Sequence, residues 1–172
     1  MVRRATSYKY YRSTDHKAQF VQLPYKGDMS MYVVLPDEKD GLQKLVEGWT
    51  KDGLKDLIPQ MNYTTMNLML PKFEYDYQIN LLATFDKMGI DIRPVWSSIN
   101  PALFVSEALH KAKIKVHEAG TEAAAVTVIS FTFLSAARPV KPVEFKVDRP
   151  FIFIIRDDIS NVNLFVGTVN KL

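Results

Sequence analysis

Apolar positions along this chain alternate with polar ones, or run together, in short stretches punctuated by glycine and proline, a pattern that predicts strands before helices. Residues 18–25 and 29–35 flank a Lys26-Gly27-Asp28 turn, and Pro36 stops the second run, so the pair reads as a β-hairpin. Two short pieces with helical spacing follow at 41–46 and 54–58, ended by Gly48 and Pro59. Residues 65–73 return to strand character, and Leu81, Leu82, Phe85 and Met88 then fall on one face of a helix that Gly89 can terminate. A loop rich in Pro and Ser spans 93–101. Between 103 and 118 the chain alternates as a half-buried strand, with Ala112, Ile114 and Val116 on one face and Lys111, Lys113, Lys115 and His117 on the other. Residues 145–155 and 162–169 are almost continuously apolar and are joined by 156–161, which suits an antiparallel pair covered on both faces. Neither an internal repeat nor an interdomain linker interrupts this order.

One segment departs from the rest. From 123 to 137 there is no charge, no proline and no glycine, in a place between two strands where a surface loop is expected. Ala123, Ala124 and Ala125 are small, and residues 126–133 are rich in β-branched and aromatic side chains that favour strand pairing and, when exposed, aggregation. As a strand the segment would place Thr121, Ala123, Ala125, Thr127, Ile129, Phe131 and Phe133 on one face. Glu122, Ala124, Val126, Val128, Ser130 and Thr132 would share the other. Two readings stand: an ordinary buried strand after a tight turn at Gly120, or a segment able to be both exposed loop and inserted strand, its local conflict serving function.

Composition narrows the chemistry. The 172 residues, 47% hydrophobic and 24% charged, suffice for one core of normal size, and no apolar run approaches the ~20 residues of a membrane-spanning helix. Met1-Val2-Arg3-Arg4 is followed by polar and aromatic residues, so the start does not read as a secretory leader. With no cysteine there are no disulfides and no thiolate sites, and a net charge of +3 with dispersed basic residues gives no footprint for nucleic acid. His16, His110 and His117 lack metal-ligand or catalytic spacing, and no nucleophile elbow or phosphate-binding glycine loop accompanies them. The expectation is a protein that is not an enzyme and uses neither metal nor cofactor. The lysine stripe on 111–115 reads as a solvated face or as a binding surface for a sulfated polysaccharide.

The stretch EAGTEAAAVT at 118–127 closely resembles the hinge of the serpins, the serine protease inhibitor family. Further stretches match in the family's order: QLPYKGDMSMYVVLP at 22–36, LPKF at 70–73, LHKAKIKVHE at 109–118, DRPFIFII at 148–155 and NLFVGTV at 163–169. The resemblance implies an α+β, mixed α/β multi-sheet fold of which residues 1–172 are a partial, C-terminal portion made mostly of antiparallel strands with a few short helices. The family's first helices and several strands of its large sheet are absent, and the connection between Gly89 and Leu103 is shorter than usual.

It also implies a function. The reactive-centre loop would span about 118–142, with Glu118, Ala119, Gly120, Thr121, Glu122, Ala123, Ala124, Ala125, Val126 and Thr127 as its hinge. A protease forms an acyl-enzyme on the scissile residue, and the cleaved loop then enters the large sheet as a new strand and distorts the trapped enzyme. Family spacing from Gly120 puts the reactive bond at Leu134-Ser135, with Phe133 as the alternative and Arg138 disfavoured by the Pro139 that follows it. Leucine suits a chymotrypsin-, elastase- or cathepsin G-like protease. Ala119 and Val126 depart slightly from the commonest hinge pattern, and both are apolar. Lys72 and Glu118 match a pair that holds the closed state, the plain reading being two separately solvated charges. His110 matches a histidine of the region that opens during insertion, the alternative being a satisfied core histidine. The implied partner is a serine protease, held covalently, with no nucleic acid or membrane. Secretion to the extracellular space follows from family habit, although intracellular members exist. The rival function is that of a serpin that does not inhibit, a carrier, chaperone or storage protein, or that of an inactive fragment.

Overall fold

The computed structural model describes residues 6–49, 53–96, 98–100, 102–117 and 141–171. In chain order the elements are β1 (Thr6–Ser13), β2 (Ala18–Pro24), β3 (Met29–Pro36), α1 (Leu42–Glu47), α2 (Gly53–Leu57), β4 (Asn62–Met69), β5 (Phe73–Asn80), α3 (Leu82–Lys87), β6 (Leu109–Val116), β7 (Val143–Lys146), β8 (Phe151–Asp157) and β9 (Val162–Val169), with 3-10 turns at Ile58–Gln60 and Arg93–Trp96. They fall into two units: Met1–Pro71 with His117–Leu172, and Lys72–Val116.

The first unit is built on a seven-stranded sheet in the order β7-β4-β1-β2-β3-β8-β9. Every neighbouring pair is antiparallel except β4 and β7, which run parallel. The expected hairpin is β2–β3, closed by a bond from the Tyr25 N–H to the Met29 carbonyl at 2.9 Å. Gly27 takes φ +87° in its turn, a conformation open to glycine at little cost. The helical spacing at 41–46 and 54–58 becomes α1 and α2. They bury Leu42, Leu45, Leu54 and Leu57 against Ala18, Phe20, Tyr32, Val34, Ile152 and Ile154 of the sheet, each leucine contributing at most about 1.5–3 kcal/mol. Val21, Val33, Phe145 and Phe151, from the other side of the pleat, are fully buried as well. Burial of both faces explains why β3 and β8 read as unbroken apolar runs.

At the β8–β9 end the sheet is tied by polar side chains. Asp158 accepts hydrogen bonds from the Tyr32 hydroxyl at 2.8 Å, from the Ser30 hydroxyl and from the Gln22 amide at 3.1 Å. Burial and the Asp158 carboxylate push the Tyr32 phenol well above the usual tyrosine range. Beside it Arg156 is buried, giving its two terminal nitrogens to the Asn161 and Asn163 side chains. The connecting turn is capped by Asp157, whose carboxylate accepts the Ile159 and Ser160 N–H groups. Those two bonds hold its pKa below the ordinary carboxylate range.

Several expectations are corrected. Residues 65–73 are not one strand: β4 ends at Met69 and β5 starts at Phe73 in a separate sheet, with Pro71 in the break lacking the N–H a continued ladder needs. The apolar run 145–155 likewise divides at Asp148-Arg149-Pro150 into β7 and β8. Of β7, β8 and β9, only β8 is covered on both faces. β9 is an edge strand, and Val162, Leu164, Phe165 and Val166 are all exposed. The helix at 81–88 forms as α3 and ends at Gly89, but none of its residues is buried. The strand expected over 103–118 occupies only Leu109–Val116.

Candidate functional site

The segment expected to be the hinge follows β6 in the sequence. β6 pairs antiparallel with β5 from Asn80↔Leu109 to Phe73↔Val116, forming the two-stranded ribbon of the second unit. With a side-chain period of two, this register sorts the ribbon into opposite faces. One carries Phe73, Tyr75, Tyr77 and Ile79 against Val116, Ile114, Ala112 and His110. The other carries Glu74, Asp76, Gln78 and Asn80 against Lys115, Lys113, Lys111 and Leu109.

The polar face is organised by Glu74, whose two carboxylate oxygens meet the Lys113 ammonium at 3.0 Å and the Lys115 ammonium at 3.1 Å. These contacts hold the Glu74 carboxyl below its ordinary pKa and raise Lys113. Two of the three lysines in the stripe are therefore already engaged by an acid, which the alternation of β6 alone does not reveal. All these groups are exposed, so the pairs contribute little to stability.

The apolar face is thinly covered. The Phe73 and Tyr75 rings meet at a centroid separation of 5.9 Å, tilted by 42°, yet Tyr75 and Tyr77 are exposed and no described side chain of this unit is buried. A two-stranded ribbon with so little burial is marginal by itself. His110 is exposed opposite Ile79, on the face expected for it but not in a core. Lys72 immediately precedes Phe73 of the terminal Phe73↔Val116 pair. Glu118 lies outside the described residues. So do Ala119, Gly120, Thr121, Glu122, Ala123, Ala124, Ala125, Val126 and Thr127, along with Phe133, Leu134, Ser135 and Arg138.

On the far side of that segment the chain is held firmly. β7 lies parallel to β4, Phe145 is fully buried and meets the Tyr10 ring edge-on at 6.3 Å, and the Val147 N–H donates to the Met69 carbonyl at 2.9 Å. Asn67 donates to Glu144 at 2.6 Å. Arg149 follows, its Nε donating to the Pro36 carbonyl at 2.7 Å while Nη1 meets Asp148 at 3.0 Å. Residues 117–142 thus join a strand with no buried residue to a strand that is locked into the seven-stranded sheet. Sequence reading missed Glu74 and Arg149. The strict alternation of residues 73–80 is the signal that would have found β5, and with it Glu74.

These features meet the comparisons with known proteins. The family model described as Serpin (serine protease inhibitor) matches residues 1–172. The chain belongs to the serpin family. It is similar to Iripin-8 of Ixodes ricinus, at 36% identity over 90% of this chain and 41% of that protein. Antichymotrypsin-2 of Bombyx mori is 35% identical over 97% of this chain and 46% of its own length. Among solved structures, uncleaved ovalbumin superposes with a TM-score of 0.79 at 26% identity, covering 98% of this chain and 43% of ovalbumin. This serpin chain therefore spans less than half the length of these relatives, and its mixed sheet with few short helices is part of the serpin fold. Serpins are protease inhibitors rather than catalysts, and their typical partners are serine proteases.

Proposed function

We propose that the protein to which this chain contributes the C-terminal portion inhibits serine proteases as a suicide substrate, with residues 118–142 as its reactive-centre loop. The reading is carried by one observation: residues 123–137 hold no charge, proline or glycine, although they connect two strands where a surface loop is expected. A protease serine attacks the Leu134 carbonyl, its Oγ becomes esterified to Leu134, and the amine of Ser135 leaves. The freed ribbon can then add a full ladder of hydrogen bonds to the large sheet, a gain held back until cleavage by kinetics rather than equilibrium.

The alanines and the glycine of the hinge suit that motion. Ala123, Ala124 and Ala125 carry almost no side-chain entropy to lose on burial, and Gly120 permits the backbone rotation at the pivot. β7 is locked into the seven-stranded sheet, which favours movement that starts at the hinge rather than at residues 141–147. Lys72 with Glu118, and His110, are assigned to holding and releasing the closed state. Leu134 directs the inhibitor to an apolar primary pocket of the chymotrypsin, elastase or cathepsin G type, in the extracellular space. Glu74 already engages Lys113 and Lys115, which speaks against a sulfated polysaccharide on the lysine stripe.

A thyroxine-binding globulin in complex with thyroxine superposes with a TM-score of 0.77 at 26% identity over 96% of this chain, which favours a second reading as a carrier. Incubating the full-length protein with chymotrypsin and running a denaturing gel separates the two. A covalent adduct that survives denaturation is expected. Cleaved protein without an adduct overturns the inhibitor reading.

A further inference from the structure

Among the seven asparagines of the chain, Asn62 alone is followed by the pattern x-Ser/Thr with x other than proline: Asn62-Tyr63-Thr64. The tripeptide opens β4, one residue beyond the 3-10 turn Ile58–Gln60. Asn62 is exposed and Tyr63 keeps 75% of its surface. The Asn62 amide donates once, to the Gln60 carbonyl at 3.1 Å, in an exposed bond that a modified Nδ2, keeping one hydrogen, can still make. The Thr64 hydroxyl donates to the Asn62 carbonyl at 3.2 Å, so neither polar group of the motif is committed to the core.

Strand pairing also leaves room. On one side β1 pairs with β4 from Asn62 to Met66; on the other, β7 pairs only with Met66–Met69. The β4 edge at residues 62–65 therefore has no strand beside it among the described residues. An open edge invites pairing with another chain, and a bulky hydrophilic group at its first residue blocks such pairing.

We propose that Asn62 is an N-glycosylation site whose sugar screens this edge and Tyr63. The donor class is an oligosaccharide linked through pyrophosphate to a polyisoprenyl lipid. The Asn62 Nδ2 bonds to the anomeric carbon, the bond from that carbon to the pyrophosphate oxygen breaks, the lipid pyrophosphate leaves with the electron pair, and the amide gives up one proton. The proposal rests on the secretory routing assigned above, so its test supplies that routing from outside.

The full-length protein is expressed in a eukaryotic cell behind a heterologous secretory leader and collected from the medium. Its Asn62 peptide is analysed by mass spectrometry before and after treatment with peptide N-glycosidase. The expected result is a glycan on Asn62 and an enzyme-sensitive gel shift that is lost in Asn62→Gln and Thr64→Ala and kept in Thr64→Ser. Secreted protein with unmodified Asn62 overturns the proposal. Failure of the full-length protein to be secreted without the added leader, scored in a parallel culture, bears on the routing alone.

Discussion

Gly167 of β9 lies directly opposite Phe153 of β8, and the aromatic ring occupies the space a side chain at 167 would need: a Cβ added there would sit 2.5 Å from Phe153 Cζ and 2.6 Å from Cε1. The ring is itself buried, at 7% exposure, so it cannot swing out freely. An aromatic laid over a cross-strand glycine fixes register, because no other pairing of these strands offers the ring the same slot.

Gly167→Ala is therefore expected to destabilise the fold by about 1–3 kcal/mol, the usual cost of overpacking. The check is a lower denaturant midpoint at unchanged slope. Phe153→Leu should relieve part of the loss in the double variant, giving a coupling of about 0.5 kcal/mol or more. Additive effects would mean that the ring does not fill the glycine's space.

Tyr32 makes stability depend on pH at the alkaline end. Its pKa is raised by burial and by the Asp158 carboxylate it donates to, so the folded state favours the neutral phenol more than the unfolded chain does. A raised folded pKa gives stability that is fully present below the unfolded value of about 10 and is lost as pH rises from there towards the folded value. Unfolding midpoints should thus fall steeply above about pH 10. In Tyr32→Phe the fall should be shallower, with a neutral-pH cost of about 1 kcal/mol for the lost hydrogen bond. An unchanged alkaline slope in that variant would remove Tyr32 as the cause.

How much of this was legible in sequence follows from where each signal resides. The β2–β3 hairpin and the two short helices were readable because their turn residues and periodicities are local. β5 was not recognised, although Phe73 to Asn80 alternate strictly, because the preceding apolar run of β4 flows into it and only Pro71 marks the boundary. The exposure of β9 could not be read at all, since an apolar edge strand and an apolar central strand look alike until the sheet order is known. For the site, the expected hinge and reactive bond rest on motif resemblance, whereas the engagement of Lys113 and Lys115 by Glu74 needs the register of β5 against β6.

The hinge carries the last prediction. If residues 121–133 become a strand, neighbouring positions point to opposite faces, so Ala124→Arg and Ala125→Arg test different surfaces of the same segment. An arginine on the face that becomes buried must lose its hydration without a partner, which slows insertion while leaving attack on Leu134 untouched. A cost of about 1.4 kcal/mol in the insertion step changes the outcome about tenfold. One of the two variants should therefore consume about ten times or more inhibitor per protease molecule inactivated, releasing cleaved inhibitor instead of adduct, and the other should behave nearly as the parent. Ala124→Pro adds a control independent of charge, because a proline in the inserted strand removes a ladder donor whichever face it occupies. Equal and undiminished trapping by all three variants would show that residues 124 and 125 do not enter the sheet.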